Sequence, residues 1–302
     1  MAHIIDGKML AEQLNKNTAA QIALYCNTQE RVRPLPTPPC LAIMCVGDDP
    51  ASKVYIAAKQ KALKSAGILC EVYRFPKTIA LQTLCATLEV LNTSSRIHGI
   101  LIQLPLPDCI DAPALLALIH PIKDVDGFTP INLGKLVSGS NGFIPCTAQA
   151  VLYALQSAHI RTAGKHAVVV GRSLVVGKPL TSLLTHADAT VTLCHKKTVN
   201  LAHITRQADI LITAAGCPSL ITGDMVKKGV TVIDVGINRI PDSSTARGYR
   251  ITGDADFESV QEKAGWITPV PGGIGPLTIA MLLKNTLKAA CLQNGFETDS
   301  TL

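Results

Sequence analysis

Strand-like and helix-like segments alternate along almost the whole of this 302-residue chain. Buried-strand candidates such as Cys40–Val46 and His166–Val170 are each followed by a segment whose apolar residues have helical spacing. Aromatic residues make up only 4% of the chain, so Val, Ile, Leu and Ala must fill the core, as they do where helices cover both faces of parallel strands. The alternation therefore predicts repeated βα units with parallel sheets and right-handed crossovers.

Two stretches interrupt this alternation. Residues 121–146 are rich in Pro, Gly, Asp, Asn and Ser and indicate a loop or linker, and residues 238–250 indicate an exposed insertion. The alternation resumes after residue 147, and a long amphipathic helix is predicted from residue 277 to about residue 292. The sequence thus predicts two α/β domains joined near residue 147. We expect the second to be a Rossmann-like doubly wound parallel sheet, and the family resemblance described below implies a cleft between the two.

The composition argues against membrane, secreted, metal-binding and nucleic-acid-binding proteins. No apolar run approaches the roughly 20 residues of a membrane helix, and the first residues do not resemble a secretory signal, so we expect a cytoplasmic location. The ten cysteines include no Cys-x-x-Cys pair and the eight histidines show no metal-ligand spacing, which favours small buried thiols and no metal. A lysine cluster at residues 53–64 fits a nucleic acid or a small anion, and the few aromatic residues favour the small anion.

A glycine-containing segment follows the predicted strand His166–Val170. It reads Gly-Arg-Ser-Leu-Val-Val-Gly over residues 171–177 and departs from the Gly-x-Gly-x-x-Gly fingerprint, since Ser173 replaces the second glycine and the last glycine comes one residue later. Gly171 allows a tight turn, and Gly177 allows close packing at the start of a helix whose N-terminus faces phosphate. The segment predicts a dinucleotide site, with an ordinary turn between strand and helix as the alternative.

The residues after the next predicted strand, Thr190–Cys194, bear on the choice between NAD and NADP. NAD sites usually carry an acidic residue there, which binds the ribose hydroxyls, whereas this chain has two lysines, Lys196 among them, and Arg172 is expected nearby. Positive charge at this point favours the extra phosphate of NADP, although lysines are also common on ordinary surfaces. Residues 213–216 and 234–238 each place glycine at a strand end, where a nicotinamide ring can rest against backbone.

Candidate catalytic residues occur together in the first half of the chain. Tyr55 and Lys59 lie four residues apart on a predicted helix, so their side chains project from one face. A lysine beside a phenol can transfer protons if its pKa falls. Gln103 closes a predicted strand, and residues 123–127 (Lys-Asp-Val-Asp-Gly) offer two carboxylates that face opposite ways in an extended chain. A solvated helix face and turn-forming aspartates are the ordinary alternatives.

Residues 269–276 read Pro-Val-Pro-Gly-Gly-Ile-Gly-Pro, with three prolines and three glycines in eight positions. Proline fixes φ and removes a donor, whereas glycine lets a ligand approach the backbone closely. The segment lies between a short apolar stretch and a predicted helix, at the kind of junction where ligands often bind. On these residues alone, the first interpretation is a loop that binds phosphate.

Together these motifs closely resemble one family, the bifunctional methylenetetrahydrofolate dehydrogenase/methenyltetrahydrofolate cyclohydrolases. The resemblance extends from about residue 5 to residue 290, in the family's order and spacing. No single motif would have been sufficient. The motifs that carry the resemblance are those at residues 55–59, 103–107, 123–127, 171–173, 234–238 and 269–276.

The resemblance implies a one-carbon folate enzyme that oxidises methylenetetrahydrofolate and then hydrolyses the methenyl product to formyltetrahydrofolate. Lys59 would be the central catalytic residue of both steps, and Gln103 would contact and tune it. Tyr55 would position the folate ring, and Asp126 would bind the pterin. The loop at residues 269–276 would form a wall of the substrate cleft instead of a phosphate site. Its substrate-binding residues would be Pro271, Gly272 and Gly273.

The implied cofactor is NADP, and the residues that would bind it are Gly171, Arg172, Ser173, Lys196 and Ile237. Lys196 occupies a position that is often serine or arginine in the family, which keeps the NADP assignment. Family members are typically homodimers in which the C-terminal helix returns to the first domain. The predicted domains are therefore residues 1–147 with 279–302, which bind folate and catalyse, and residues 148–278, which bind NADP. No nucleic-acid, membrane or metal partner is implied.

Two other interpretations remain open on the residues alone. A short-chain dehydrogenase has a pair that resembles Tyr55 and Lys59, but its glycine loop precedes the pair, whereas Gly171 follows it by more than a hundred residues. A non-catalytic NADP-binding regulator would keep the fold and lose the chemistry, and the presence of all four candidate catalytic side chains argues against it. Turnover of simple ketones would favour the first interpretation, and NADPH binding without folate turnover would favour the second.

Overall fold

The computed structural model describes residues 1–27, 35–245 and 248–296. The chain divides into two compact units, which are described one at a time. Unit 1 comprises Met1–Ala11 and Thr147–Thr278, and unit 2 comprises Glu12–Cys146 and Ile279–Leu302. Each unit contains its own parallel sheet, so the predicted α/β fold is confirmed.

The elements follow one another in the alternating order that the sequence predicts. The strands are β1 (His3–Ile4), β2 (Cys40–Val46), β3 (Leu69–Phe75), β4 (Gly99–Ile102), β5 (His166–Val170), β6 (Thr190–Cys194), β7 (Ile210–Thr213), β8 (Thr231–Asp234), β9 (Asn238–Pro241), β10 (Tyr249–Thr252) and β11 (Trp266–Ile267). The helices are α1 (Gly7–Cys26), α2 (Pro50–Ser65), α3 (Leu81–Thr93), α4 (Ala112–Leu116), α5 (Pro130–Ser138), α6 (Cys146–Ser157), α7 (Gly177–His186), α8 (Leu201–Thr205), α9 (Phe257–Gln261) and α10 (Ile274–Gln293), with a 3₁₀ turn at Gly223–Met225.

Unit 1 is built on a six-stranded, fully parallel sheet in the order β1-β11-β8-β7-β5-β6. Strands β7 and β8 are buried along their whole length, as expected for parallel strands with helices on both faces. Strand β6 pairs with one side of β5 and β7 pairs with the other. The strand order therefore reverses between β5 and β7, and the carboxyl ends of these two strands mark the place where open α/β sheets bind ligands.

Unit 2 contains three parallel strands in the order β3-β2-β4, and every residue of β2 and β4 is buried. On the free side of β4, Ile100 forms a parallel bridge with Asp124, and its amide donates to the Lys123 carbonyl at 2.8 Å. Since this pairing is parallel, the chain after Asp124 runs toward the carboxyl end of β4, where Gln103 lies. Two of the predicted site segments thus meet at one edge of the sheet.

The N-terminal residues belong to a different unit from the one predicted. The sequence interpretation placed residues 1–11 with residues 12–147, whereas the structure groups Met1–Ala11 with unit 1. The reason is backbone pairing, because β1 adds to the edge of the six-stranded sheet beside β11 and the Ile5 amide donates to the Ile267 carbonyl at 2.9 Å. A two-residue strand is too short to show a periodic pattern in the sequence.

The segment at residues 121–146, predicted to be loop or linker, contains helix α5. Thr129 caps the helix by accepting a hydrogen bond from the Asn132 amide at 3.3 Å, and Pro130 occupies its first turn. Gly139 ends the helix with a φ of +70°. These are ordinary start and stop signals, but the polar and glycine content around them outweighed them in the prediction.

Two further elements differ from the sequence prediction. Residues 238–250, predicted to be an exposed insertion, contain β9 and the first half of β10. These two strands pair in antiparallel fashion, with Asn238 opposite Thr252. Helix α10 begins three residues earlier than predicted, and it is not amphipathic along its centre, since every residue from 280 to 287 is buried. Polar side chains there need partners inside the protein, and Asn285 has them.

Candidate active site

The first candidate site lies where helix α2 follows strand β2 in unit 2. Asp49 accepts a hydrogen bond from the Ser52 amide at 2.7 Å and so caps the start of this helix. Tyr55 and Lys59 then follow one turn apart, and both side chains are partly buried. The predicted pair therefore does share one helix face, and that face is not simply solvated.

Lys59 and Gln103 form a direct contact. The Lys59 Nζ donates to the Gln103 Oε1 at 3.0 Å, and the Gln103 Nε2 donates to the Leu104 carbonyl at 2.8 Å. The backbone amide of Gln103 also donates to the Met44 carbonyl at 2.8 Å, which ties it to β2. The amide side chain is thus held at both ends, so it presents its oxygen to the lysine in a fixed direction.

The two aspartates of residues 123–127 have different surroundings. Asp124 is buried, and its carboxylate accepts hydrogen bonds from the amides of Phe128 and Thr129 at 3.1 and 2.7 Å and from the Asn132 Nδ2 at 2.8 Å. Asp124 is therefore the turn-forming aspartate. Asp126 is only partly buried and lies close enough to Lys59 for each charge to affect the other's pKa.

Burial shifts the pKa of both members of this charged pair toward the neutral form. It lowers the pKa of Lys59 from its ordinary value of 10.5, and the Asp126 carboxylate opposes that shift. It raises the pKa of Asp126, and the Lys59 charge opposes that shift in turn. The lysine is therefore closer to losing its proton than a surface lysine is, which is the condition that proton transfer requires.

Two buried residues support the Asp126 segment and were not predicted from the sequence. The Asn285 Nδ2, on α10, donates to the Val125 carbonyl at 2.8 Å and to the Ile144 carbonyl at 3.3 Å. The Cys146 thiol donates to the same Val125 carbonyl at 3.4 Å, and burial raises its pKa well above the ordinary value, so it stays protonated. The one signal for Asn285 was its place in a short polar run, Lys284-Asn285-Thr286, between apolar parts of a predicted helix.

The glycine segment of unit 1 forms the tight turn that the sequence predicts. Gly171 has a φ of +122°, and a Cβ there would lie 2.0 Å from the Ala214 carbonyl oxygen. A Cβ on Gly177 would lie 1.8 Å from the Gly171 carbonyl oxygen. Only glycine fits at either position. The Ser173 hydroxyl accepts a hydrogen bond from the Val176 amide at 3.1 Å, which closes the turn before helix α7 begins.

The other predicted cofactor residues lie at the same edge of the sheet as this turn. The Gly171 amide donates to the Cys194 carbonyl at 2.9 Å, so the turn touches the end of β6, two residues before Lys196. Arg172, Ser173 and Lys196 are exposed. Ile237, after the end of β8, is 46% exposed. All five residues thus lie at or just after the carboxyl ends of strands in one sheet.

The loop at residues 269–276 is shorter than predicted, because Ile274, Gly275 and Pro276 form the first turn of α10. Its remaining part packs against the start of α1 in unit 1. The Lys8 amide donates to the Gly272 carbonyl at 3.0 Å, and a Cβ on Gly7 would lie 1.8 Å from the Gly273 carbonyl oxygen. The loop is therefore held by close contact between two backbones.

Three further findings bear on the class of protein. Within the described ranges, no helix combines the length and the apolar character needed to cross a membrane. Over the same ranges, no group of three or more His, Cys, Asp or Glu side chains is arranged to hold a metal ion. All ten cysteines are free thiols, and five are buried. The prediction of small buried thiols is wrong for Cys109 and Cys217, which are exposed.

The fold and these sites define a two-unit α/β protein with a catalytic region and a dinucleotide-binding region. Residues 5–126 match the family described as "Tetrahydrofolate dehydrogenase/cyclohydrolase, catalytic domain". Residues 145–294 match its "NAD(P)-binding domain". The chain belongs to the tetrahydrofolate dehydrogenase/cyclohydrolase family, and the resemblance inferred from its motifs is confirmed.

Individual relatives agree with this assignment. The chain is 48% identical over 289 residues to a protein of Moorella thermoacetica called "Bifunctional protein FolD", an alignment that covers 96% of this chain and 99% of the relative. It is 45% identical to the bifunctional methylenetetrahydrofolate dehydrogenase/cyclohydrolase of Campylobacter jejuni, whose crystal structure matches with a TM-score of 0.89 over 96% and 99% of the two chains. A Trypanosoma brucei structure of the same kind, in complex with NADP and an inhibitor, is 37% identical, with a TM-score of 0.90 over 96% and 97% of the chains.

Proposed function

We propose that this chain oxidises methylenetetrahydrofolate to methenyltetrahydrofolate with NADP and then hydrolyses the product to formyltetrahydrofolate. The observation that carries the proposal is the 3.0 Å hydrogen bond between Lys59 and Gln103, made by a lysine whose pKa burial lowers. A partly buried, oriented amine near a carboxylate is suited to move protons at a reacting carbon. Family membership gives the identity of that carbon.

The residues of unit 1 suit a dinucleotide. The Gly171 turn leaves no room for a Cβ at either glycine, and such a backbone can approach a pyrophosphate closely at the start of α7. The residues assigned to NADP are Gly171, Arg172, Ser173, Lys196 and Ile237. Arg172 and Lys196 supply positive charge for the additional phosphate, and exposed Ile237 offers an apolar surface to the nicotinamide end. When bound, the cofactor accepts a hydride.

Loss of hydride from the methylene carbon leaves a cationic methenyl bridge on the folate. That positive charge, close to Lys59, adds to the effect of burial and lowers the pKa of the amine further, because like charges disfavour its protonated form. Asp126 accepts hydrogen bonds from the pterin, Tyr55 positions the folate ring, and residues 271–273 contact the substrate. The first reaction thus produces the electrophile for the second and also favours neutral Lys59.

Hydrolysis then uses Lys59 as a proton carrier. As water attacks the methenyl carbon, the neutral Lys59 amine takes a proton from it, and a neutral carbinolamine forms. The resulting ammonium gives that proton to the ring nitrogen as the carbon–nitrogen bond breaks, while the hydroxyl proton leaves to solvent and the formyl group forms. Gln103 accepts a hydrogen bond from the Nζ, which keeps the amine directed at the reacting carbon.

A spectrophotometric assay tests the proposal. The full chain is mixed with methylenetetrahydrofolate and either NADP⁺ or NAD⁺ in parallel. We expect methenyl product that first accumulates and then decays, with NADP⁺ used better than NAD⁺. Binding of NADPH without folate turnover would contradict the proposal and favour a regulator. A strong preference for NAD⁺ would contradict the assignment of Arg172 and Lys196.

We further propose that the enzyme is a cytoplasmic homodimer that binds no nucleic acid. The ten free cysteines fit a reducing compartment, since disulfides are rare there. The low aromatic content gives little stacking surface for bases. Light scattering on the purified chain should give twice its mass of 32.0 kDa, and a monomer at micromolar concentration would contradict the dimer.

A further inference from the structure

Asp254 is a fully buried carboxylate that organises an irregular loop of unit 1. Its Oδ2 accepts hydrogen bonds from the amides of Ala215 and Gly216 at 2.5 and 3.0 Å. Its Oδ1 accepts from the amide of Cys217 at 3.0 Å and from the Asn238 Nδ2 at 2.8 Å. Three successive backbone amides of the loop after β7 therefore share one acceptor group.

This arrangement uses both oxygens of an ionised carboxylate, which is an acceptor only. All four partners are donors. An amide side chain at position 254 would therefore replace one accepting oxygen with an NH₂ group, which would face other donors. The loop at residues 215–217 lies outside any helix or strand, and its amides need some partner if they are not to be left unpaired. Asp254 therefore fixes the path of this loop.

The loop borders the place where the sheet of unit 1 reverses its strand order. Ala214, which precedes it, donates from its amide to the Val170 carbonyl at 2.7 Å, at the end of β5. Its carbonyl oxygen is the atom that a Cβ on Gly171 would meet. The path of residues 215–217 is therefore coupled through Ala214 to the Gly171 turn, the segment assigned to the cofactor.

A second buried carboxylate holds Asp254 itself. The Asp234 side chain accepts from the amides of Asp254, Ala255 and Gly236 at 3.0, 2.8 and 2.9 Å and from the Thr213 hydroxyl at 2.9 Å. A Cβ on Gly236 would lie 2.3 Å from the Asp254 Oδ1. The two aspartates thus connect the loops after β7 and β8. These are the loops whose glycines are predicted from the sequence to lie against the nicotinamide ring.

We infer that Asp254 is a positioning residue of the dinucleotide site, which acts through residues 215–217 and Asn238 without itself touching the cofactor. The inference rests on the proposed function, since it assumes that the carboxyl edge of this sheet binds NADP. It concerns the dehydrogenase reaction alone. Hydrolysis needs no cofactor, and its assigned residues Lys59, Gln103 and Asp126 all belong to unit 2.

The test compares Asp254→Ala with a matched control in the full-length chain. Asp209→Ala is suitable, because Asp209 precedes β7 at the amino edge of the same sheet and accepts a hydrogen bond from the His166 amide at 2.9 Å. For Asp254→Ala we expect NADP⁺ affinity to fall about tenfold or more, as unpaired amides release the loop. Hydrolysis of preformed methenyltetrahydrofolate should stay within about twofold of wild type. Asp209→Ala should keep both activities even if its stability falls.

Hydrogen exchange distinguishes a local release of the loop from a general loss of stability. The amides of residues 215–217 should exchange faster in Asp254→Ala under native conditions, while those of β5 keep their protection. If Asp254→Ala does not fold, Asn238→Ala tests the inference instead, because it removes one of the four donors and leaves the carboxylate in place. A lower NADP⁺ affinity in Asn238→Ala supports the inference, and an unchanged affinity overturns it.

The outcome separates this inference from the proposed function. A wild-type chain that neither binds NADP⁺ nor converts methylenetetrahydrofolate would refute the proposed function. A wild-type chain that does both, together with a folded Asp254→Ala variant of wild-type NADP⁺ affinity, would overturn the inference and leave the function intact.

Discussion

The carboxyl edges of the two sheets use their charged side chains in opposite ways. In unit 1, Asp234 and Asp254 are buried, and each carboxylate accepts four hydrogen bonds, mostly from backbone amides. In unit 2, Lys59 and Asp126 are only partly buried, and the pKa of each is shifted toward the neutral form. Carboxylates saturated by backbone donors therefore fix the shape of loops. Burial raises the pKa of Asp234 as well, so a shifted pKa alone does not mark a reactive group. Lys59 and Asp126 combine a shifted pKa with partial exposure, and that combination leaves them able to react with a ligand.

The largest effect that this comparison predicts is at Lys59. Lys59→Ala removes the proposed proton carrier. General acid–base catalysis typically contributes a factor of about 10²–10⁴, so hydrolysis of methenyltetrahydrofolate should become undetectable or nearly so. NADP⁺ affinity should not change, because Lys59 belongs to the other unit. Stopped-flow absorbance of the methenyl substrate measures the rate. Lys61→Ala, an exposed lysine on the same helix, is the control, and wild-type hydrolysis by Lys59→Ala would remove the lysine from this role.

Asp124 and Asp126 lie two residues apart in one short segment. Substituting each in turn tests whether one carboxylate is structural and the other binds substrate. Asp126→Asn should lower kcat/KM for methylenetetrahydrofolate by a factor of about 10–100, because the proposed charge-assisted hydrogen bond to the pterin is lost. It should leave the free energy of unfolding almost unchanged. Asp124→Asn should instead lower the free energy of unfolding and leave kcat/KM almost unchanged. It leaves buried donors facing an amide, at a cost of about 1–3 kcal/mol for each unpaired donor.

Urea unfolding and steady-state kinetics on both variants measure the two effects. The contrast holds only if stability and activity separate between them. If Asp124→Asn loses activity at full stability, or if Asp126→Asn unfolds the chain, then the assignment of one carboxylate to structure and the other to substrate is wrong.

A smaller effect is expected at the cofactor end of unit 1. Lys196→Glu replaces a positive charge near the proposed phosphate position with a negative one, so the KM for NADP⁺ should rise about tenfold, while that for NAD⁺ changes little. Lys197→Glu makes the same charge change one residue away, where both side chains are exposed, and serves as the control. Equal effects of the two substitutions on NADP⁺ would point to general attraction in place of a specific contact.

Much of this architecture was predictable from the sequence because parallel strands leave a strong signal. Strands β2, β5 and β6 begin and end at the predicted residues. For β2 and β5 the signal is a run of apolar residues, which marks a buried strand clearly. The two-residue strand β1 was not predicted, because its pairing depends on distant backbone. Helix α5 was missed where Pro and Gly content suggested a loop, although its capping residues were present.

Some residues of the candidate site were likewise predictable from the sequence, and others were not. Tyr55 and Lys59 followed from helical spacing, and Gln103 from its place at a strand end. The choice between Asp124 and Asp126 did not follow, because both have the same local pattern and only the fold brings the Asn132 amide to one of them. Asn285 and Asp254 were missed because their hydrogen-bond partners lie far along the chain, at Val125 and at Ala215. Local patterns do not contain such pairings.

The smallest effect tests the coupling between Lys59 and Asp126 directly. If neutral Lys59 takes the proton from water, the rate of enzymatic hydrolysis rises with pH through the pKa of Lys59, which burial places below the ordinary 10.5. The Asp126 carboxylate raises that pKa, since a nearby negative charge favours the protonated amine. In Asp126→Asn this contribution disappears, so the inflection of the pH–rate profile should move to lower pH, whatever the loss in maximal rate. Lys61→Ala should not move it. A shift to higher pH, or no inflection at all, would mean that the titrating group is not Lys59, even if Lys59→Ala is inactive.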